Sequence, residues 1–355
     1  MTELPLAGVR VLELGGIGPG PFAAMLLADL GAEVVAVTRV DDSPGADPLA
    51  QGKRRVPLDL RNPDGVAAAL DLVSRSQILI EGFRPGTAER LGLGPEDCWR
   101  HSPALVYGRM TGWGQSGPLA ATAGHDINYI GLSGALHAIG RAGQPPSVPL
   151  YLVGDLGGGA MFLVAGVLAA LHVATATGTG RVVDAAIVDG AARLMTPAFA
   201  ALAAGDWVDE RGVNLLDSGR PWYDVYETSD GKWMSVGAIE DRFYAELVRV
   251  LDLPAEFACR DDPAGWPALR AVLAERFAAR TRAEWERIFT GVDACVAPVL
   301  SLAEAPHHPH LRERGTFRDG HAPSPYRDGP PAPVLAPRIT AAPVPASAPR
   351  ITAAP

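Results

Sequence analysis

The chain has 355 residues, of which 48 % are apolar and 20 % charged; that is more than one hydrophobic core usually organises, and the composition excludes a disordered chain. With 31 basic against 40 acidic residues the formal net charge is −9, which argues against general nucleic-acid affinity and requires any anionic ligand to meet a local cluster of basic side chains. Cys98, Cys259 and Cys295 lie far apart with no metal-ligand spacing, and the N-terminus has no basic region followed by an apolar core, so a reduced, cytoplasmic protein without zinc is expected.

Residues 9–14 are a short β-rich run ending in glycines. Residues 21–30 have helical spacing with proline at the first turn, and residues 33–37 return as a second strand. This βαβ opening predicts a parallel sheet with a right-handed crossover. Between its first strand and helix lies Gly15-Gly16-Ile17-Gly18-Pro19-Gly20-Pro21, where a dinucleotide loop would sit. However, Thr38-Arg39 stands where that fingerprint needs an acid, and Pro19 and Pro21 remove two amide donors, so tight turning is expected and nicotinamide is not.

The unit repeats. Asn62-Pro63-Asp64 starts a helix reaching about Ser76, with Val66, Ala69, Leu70 and Val73 on one face; residues 77–80 make a third strand and residues 105–110 a fourth. Residues 157–176 read as a helix apolar nearly all round, which suggests burial in a core or a subunit interface. The uncharged run at 156–171 falls short of the ~20 residues of a membrane span, so no membrane segment is expected. A strand at 181–188, an alanine-rich helix at 190–204 and a polar linker at 205–220 follow.

Beyond the linker, residues 222–227 and 232–236 flank Ser229-Asp230-Gly231, a hairpin signal. Helical spacing recurs at 241–251, 266–279 and 282–289, and a short strand at 294–299 is interrupted by Pro298. From Pro306 onward mostly irregular chain is expected, and the end carries two copies of Ala-Pro-Arg-Ile-Thr-Ala-Ala-Pro. The organisation expected is a large domain over residues 1–187, a linker over 188–219, a small domain over 220–303, and a return linker and tail over 304–355 packing on the large domain.

Basic residues recur at strand ends and the loops after them: Arg39, Lys53-Arg54-Arg55, Arg61, Arg84 and Arg90. In an open α/β sheet such ends converge on one crevice, and the planar arginine fork suits phosphate, so a polyanionic ligand explains them jointly. His125 and Asp155 each stand beside glycine. Imidazole exchanges protons near neutral pH, and a carboxylate can where its surroundings tune it. Taken alone, His125 reads as a structural histidine and Asp155 as a helix N-cap whose glycine neighbours leave amides open to a ligand oxygen. The histidines at 307, 308 and 310 lack a cysteine or aspartate at ligand spacing, and no metal is expected. Glu240 ends a strand beside a helix start, ordinarily a solvated place.

Gly124-His125-Asp126-Ile127-Asn128-Tyr129, Gly154-Asp155-Leu156-Gly157-Gly158-Gly159 and Val236-Gly237-Ala238-Ile239-Glu240 together resemble the α-methylacyl-CoA racemases of the family III CoA-transferase superfamily. Glu81-Gly82-Phe83-Arg84-Pro85-Gly86, Arg109-Met110-Thr111-Gly112-Trp113-Gly114-Gln115 and Arg181-Val182-Val183-Asp184-Ala185-Ala186 add to the match, which covers roughly residues 5–320. The resemblance implies an α/β fold with a Rossmann-like large domain and a smaller α+β domain. It also implies two chains interlocked as a homodimer, the active site lying between the large domain of one and the small domain of the other.

By the same resemblance His125 and Asp155 are the acid/base residues, and Glu240 of the partner subunit pairs with His125. Coenzyme A, part of the acyl-CoA substrate, would lie along Arg39, Leu58-Asp59-Leu60-Arg61, Gly82-Phe83-Arg84, Arg90 and the loop from Gly124 through His125, Asp126, Ile127 and Asn128 to Tyr129. The reaction implied inverts the α-carbon of 2-methylacyl-CoA by proton transfer through an enolate, with no metal, nicotinamide or pyridoxal. The alternative is CoA transfer between carboxylates with Asp155 as nucleophile. Transferases of the family usually carry an aromatic residue where His125 stands and a Gly-Asn pair near Glu240, and both differences favour racemisation.

Overall fold

The computed structural model describes residues 4–41 and 47–317; the repeated C-terminal segment and the tail expected to pack on the large domain lie outside the described residues. Six strands form one sheet: β1 Arg10–Leu14, β2 Glu33–Thr38, β3 Lys53–Pro57, β4 Ile78–Glu81, β5 Val106–Thr111 and β6 Arg181–Ala186. All neighbours run parallel, in the order β3-β2-β1-β4-β5-β6. This is the order of a doubly wound sheet, in which the chain reverses direction across the sheet between β1 and β4. The carboxyl ends of those two strands, Leu14 and Glu81, therefore part to open a crevice.

The central strands are buried almost throughout, as expected of a parallel sheet covered on both faces. Helix α1 (Pro19–Asp29) follows the first glycine loop, where Gly18 adopts φ +68°, a conformation that L side chains rarely take. Helix α2 (Pro63–Ser74) starts as expected, with Asn62 Oδ1 accepting the Asp64 amide at 3.0 Å. Two short helices, α3 (Thr87–Arg90) and α4 (Pro95–His101), precede β5, and α5 (Asp126–Leu132) and α6 (Ala135–Ala138) follow it.

Four local expectations are corrected. The basic run at residues 53–55 is not loop but the start of edge strand β3, and Lys53 is sequestered there: its Nζ donates to Glu13 Oε2 and to the Pro21 carbonyl, both at 2.7 Å. A buried pair of this kind holds the edge strand to β1 and engages two of the three ammonium donors, with Lys53 still part of the wall of that crevice. The helix expected from residue 157 begins five residues earlier, as a π-helical segment, Leu152–Ala160, that continues into α7 (Met161–Thr177). Together these 26 residues are long and apolar enough to cross a membrane by length and composition. One side, with Leu163, Val164, Val167 and Ala170, packs into the main core, and Gly108 of β5 lets Leu163 and Val167 come that close.

The alanine-rich stretch expected as one helix is two, α8 (Ile187–Leu194) and α9 (Thr196–Ala204), bent by 49°. Pro197 at the start of the second helix removes an amide the first would need to continue. Finally, the chain after Pro306 contains a short helix, Pro309–Glu313.

The second sheet is antiparallel, β7 (Tyr223–Glu227), β8 (Trp233–Gly237) and β9 (Val296–Val299) in that order. Helices α10 (Asp241–Leu251), α11 (Trp266–Ala278) and α12 (Arg282–Phe289) pack on it around Trp222, Tyr226, Tyr244, Phe277, Trp285 and Phe289. Asp224 on β7 is buried and receives Arg270 from α11 and Arg141 from the loop after α6, tying that loop to the small sheet. The chain thus combines a parallel six-stranded α/β sheet with a small antiparallel sheet and its helices, in agreement with the expected fold class.

The π-helical segment and α8 cross with no room for a side chain. A Cβ on Gly190 would stand 1.8 Å from the Gly158 carbonyl oxygen, and one on Gly158 would stand 2.5 Å from the Ala191 amide. Backbone cannot yield as a side-chain tip can, so Gly190→Ala is expected to cost about 3 kcal/mol or more. Thermal melts of the variant should show a large drop in Tm; an unchanged Tm would mean that the crossing relaxes freely.

Candidate active site

Two adjoining regions make up the site. The first is the crevice at the β1/β4 switch point, a cavity of about 990 Å³. Of the residues expected along coenzyme A, Arg39, Leu58, Asp59, Leu60, Arg61, Gly82 and Phe83 line it, as do Gly15, Gly16 and Ile17 of the first glycine loop. Arg61 folds back on Asp59, its Nε 2.9 Å from Oδ1, and Arg39 lies 3.5 Å from Asp41. Arg84 and Arg90 are exposed and lie outside the lining, with Arg90 Nη2 donating to Thr87 Oγ1 at 2.8 Å.

The second region holds His125 and Asp155. His125 is the N-cap residue of α5, and its amide donates to Asn128 Oδ1 at 3.0 Å, so the Gly124–Tyr129 motif is a helix start rather than a plain loop. Tyr129 is buried edge-on against Trp113, ring centroids 4.7 Å apart, and its hydroxyl donates to the Gly124 carbonyl. That bond closes the turn before His125. Ile127 and Asn128 are exposed. Gly112 is the complement of this packing: a Cβ there would lie 2.1 Å from the Tyr129 ring.

Asp155 is not the N-cap expected of it; it is the fourth residue of the π-helical segment. Its amide, expected to face a ligand oxygen, donates instead to Asp126 Oδ1 at 2.6 Å. Gly154 permits this, since a Cβ there would come within 2.3 Å of the same oxygen. Asp126 therefore links the helix start that carries His125 to the segment that carries Asp155. On the other side Asp155 Oδ2 packs over Gly18, where a Cβ would stand at 3.3 Å.

The first glycine loop consequently joins the two regions, with Gly15 to Ile17 in the crevice wall and Gly18 against the carboxylate. No sequence fingerprint marked this second duty; the run of positive-φ glycines at 15, 16 and 18 is its only local signal.

Burial pushes the Asp155 carboxyl up to about 6; neighbouring Asp126 adds to the rise and His125 opposes it. A carboxyl poised there both accepts and returns a proton near neutrality. Glu240 is the exposed N-cap residue of α10, and among the described residues no hydrogen bond or ion pair links it to His125 or Asp155 in the same chain. Also among the described residues, no group of three His, Cys, Asp or Glu is placed to hold a metal ion.

A doubly wound sheet with a crevice at its switch point, lined by arginines and their acidic partners and leading to a raised-pKa carboxyl and a histidine, is the frame of an α/β enzyme. The chain belongs to CoA-transferase family III, whose family model matches residues 6–353. It is 47 % identical over 334 residues to an α-methylacyl-CoA racemase of Mus musculus, covering 93 % of this chain and 86 % of the relative. It is 45 % identical over 319 residues to an α-methylacyl-CoA racemase of Homo sapiens, covering 88 % and 82 %. Both bear out the resemblance seen in the motifs. A crystal structure of a CAIB/BAIF family protein from Brucella suis superposes with a TM-score of 0.78 at 24 % identity, over 94 % of this chain and 96 % of that one, showing the same fold.

Proposed function

We propose that this protein is an α-methylacyl-CoA racemase that inverts the α-carbon of 2-methylacyl-CoA thioesters by two-base proton transfer. The observation that carries the reading is the position of Asp155, a half-buried carboxyl whose neighbouring Gly18 belongs to the loop that also walls the crevice. A CoA thioester lying in that crevice brings its carbonyl end towards the carboxyl.

The thioester carbonyl acidifies the α-hydrogen, and its removal leaves an enolate whose oxygen carries the developing charge. Asp155 takes or gives the proton on one face and His125 does so on the other; the roles exchange for the reverse direction. Because the Asp155 amide is engaged by Asp126, charge stabilisation falls first to the positive ends of the helices that start here, α1 beside Gly18 and the 26-residue helix through α7. The chemistry uses no metal, nicotinamide or pyridoxal group, and coenzyme A enters only as part of the substrate.

The same reading makes the protein an interlocked homodimer in the cytoplasm, with Glu240 of the partner subunit pairing with His125. Two features support self-association. Glu240 is exposed at the N-cap of α10, and among the described residues no hydrogen bond or ion pair joins it to His125 of its own chain. In addition, a run of apolar side chains faces outward around the long helix and its neighbours, among them Tyr151, Leu152, Met161, Phe162, Leu194 and Phe199.

Incubating a single-epimer 2-methylacyl-CoA in deuterated water with an added carboxylate tests the reading. Racemisation predicts α-deuterium and both epimers with CoA still on the original acyl group. Transfer of CoA to the added carboxylate without α-deuterium makes Asp155 a nucleophile and the protein a transferase.

A further inference from the structure

Glu81 is a buried charge beside the crevice that the proposed reaction does not use. It is 2 % exposed at the carboxyl end of β4, directly before Gly82 and Phe83 in the crevice lining. Its Oε2 accepts the Phe83 amide at 2.7 Å, closing the turn by which the chain leaves the sheet. Arg109, 9 % exposed, is its register partner on β5 and brings Nε to 3.9 Å from Glu81 Oε1. The same guanidinium donates to Gln115 Oε1 at 2.8 Å and to Glu89 Oε1. One buried cation thus braces the end of β4, helix α3 and the glycine-rich loop after β5.

We infer that Glu81 is a positioning residue for CoA binding: it holds the Gly82-Phe83 turn in the shape the crevice requires, acting through the Phe83 amide and braced by Arg109. This rests on the acyl-CoA reading above and extends it to a residue that touches no substrate. The charged or titratable groups facing Glu81 are Arg109, Glu89, Asp184 and the Tyr107 phenol. Burial pushes its carboxyl up to about 7; the Phe83 amide and Arg109 oppose the rise, and Glu89 and Asp184 add to it. Protonation removes the charge that holds both partners, so CoA affinity should fall as pH drops through about 7 and recover above it.

The test is calorimetric titration of the full-length protein with coenzyme A from pH 6 to 8, comparing wild type with Glu81→Gln. Glutamine keeps an oxygen for the Phe83 amide but carries no charge. The ligand's own phosphate titrates identically in both experiments and cancels in the ratio of affinities. The ratio of wild-type to variant affinity should grow about tenfold across the range, the scale of one charge-assisted hydrogen bond. In turnover, KM for acyl-CoA should rise in the variant by more than kcat falls.

A second measurement needs no variant: carbon-13 NMR of the wild-type Glu81 carboxyl should show its titration midpoint moving down when CoA is bound, as linkage requires. A constant affinity ratio, or a midpoint that CoA does not move, overturns the inference alone. A wild-type protein that binds no CoA at any pH overturns the acyl-CoA reading and the inference with it.

Discussion

Asp155→Asn is expected to lower epimerisation of 2-methylacyl-CoA by about 10²–10⁴-fold, the range that a positioned general acid or base contributes. Asparagine preserves the shape that Gly18 accommodates and leaves the backbone amide on Asp126, so the loss reports the missing proton acceptor rather than a rearranged site. The same variant should be more stable than wild type at pH 8. The folded carboxyl is raised from its ordinary value of 3.8 to about 6, so the stability of its neutral form is fully present below the lower value and lost as pH rises through the upper one. Asparagine carries no such loss. Melting curves at pH 5 and pH 8 should therefore show the variant gaining on wild type between the two; a gap that does not change with pH would mean that Asp155 ionises without cost.

The second large effect concerns Glu240. If each site combines the large domain of one chain with the small domain of its partner, His125→Ala and Glu240→Ala are each inactive alone but complement one another when co-expressed. In the mixed dimer one site carries both lesions, and the other has an intact His125 facing an intact Glu240 of the partner subunit. Doubly tagged, purified heterodimers should regain roughly half of wild-type turnover, one intact site in two. Heterodimers as inactive as either parent would place Glu240 in its own chain's site or outside the reaction. The exposure of Glu240 at the start of α10 is compatible with a role across an interface.

Much of this architecture is legible in the residues themselves. The βαβ opening, the Asn62 cap and the hairpin around residues 229–231 are local features with local causes, and each appears where its chemistry predicts. Strand β3 was not legible, because Lys53-Arg54-Arg55 reads as part of a basic cluster for a polyanionic ligand until β2 supplies the ladder and Glu13 buries the lysine. Helix α5 escaped for a related reason. It is seven residues long, and what fixes its start is a distant contact, Tyr129 against Trp113.

The candidate site divides along the same line. The motifs single out His125, Asp155 and most of the crevice wall, because glycines and charged residues in unusual company are visible in one dimension. The partners that set their behaviour are not. Asp126 engages the Asp155 amide across 29 residues, and Gly18 meets the Asp155 carboxyl across the sheet top. Glu81 and Arg109 become partners only through the register of β4 with β5. Nothing in the sequence near any of these residues specifies such pairings.

The central claim, two bases on opposite faces of one α-carbon, is tested most directly by hydrogen exchange in the two single-base variants. Each pure epimer of a 2-methylacyl-CoA is incubated in deuterated water with His125→Ala or with Asp155→Asn, and α-deuterium is followed by mass spectrometry. Two-base transfer predicts that Asp155→Asn still exchanges the epimer whose hydrogen faces His125 and not the other, and that His125→Ala shows the opposite preference. If either substitution abolishes exchange from both epimers, or both leave exchange at the same epimer, one base serves both faces and the proposed mechanism is wrong.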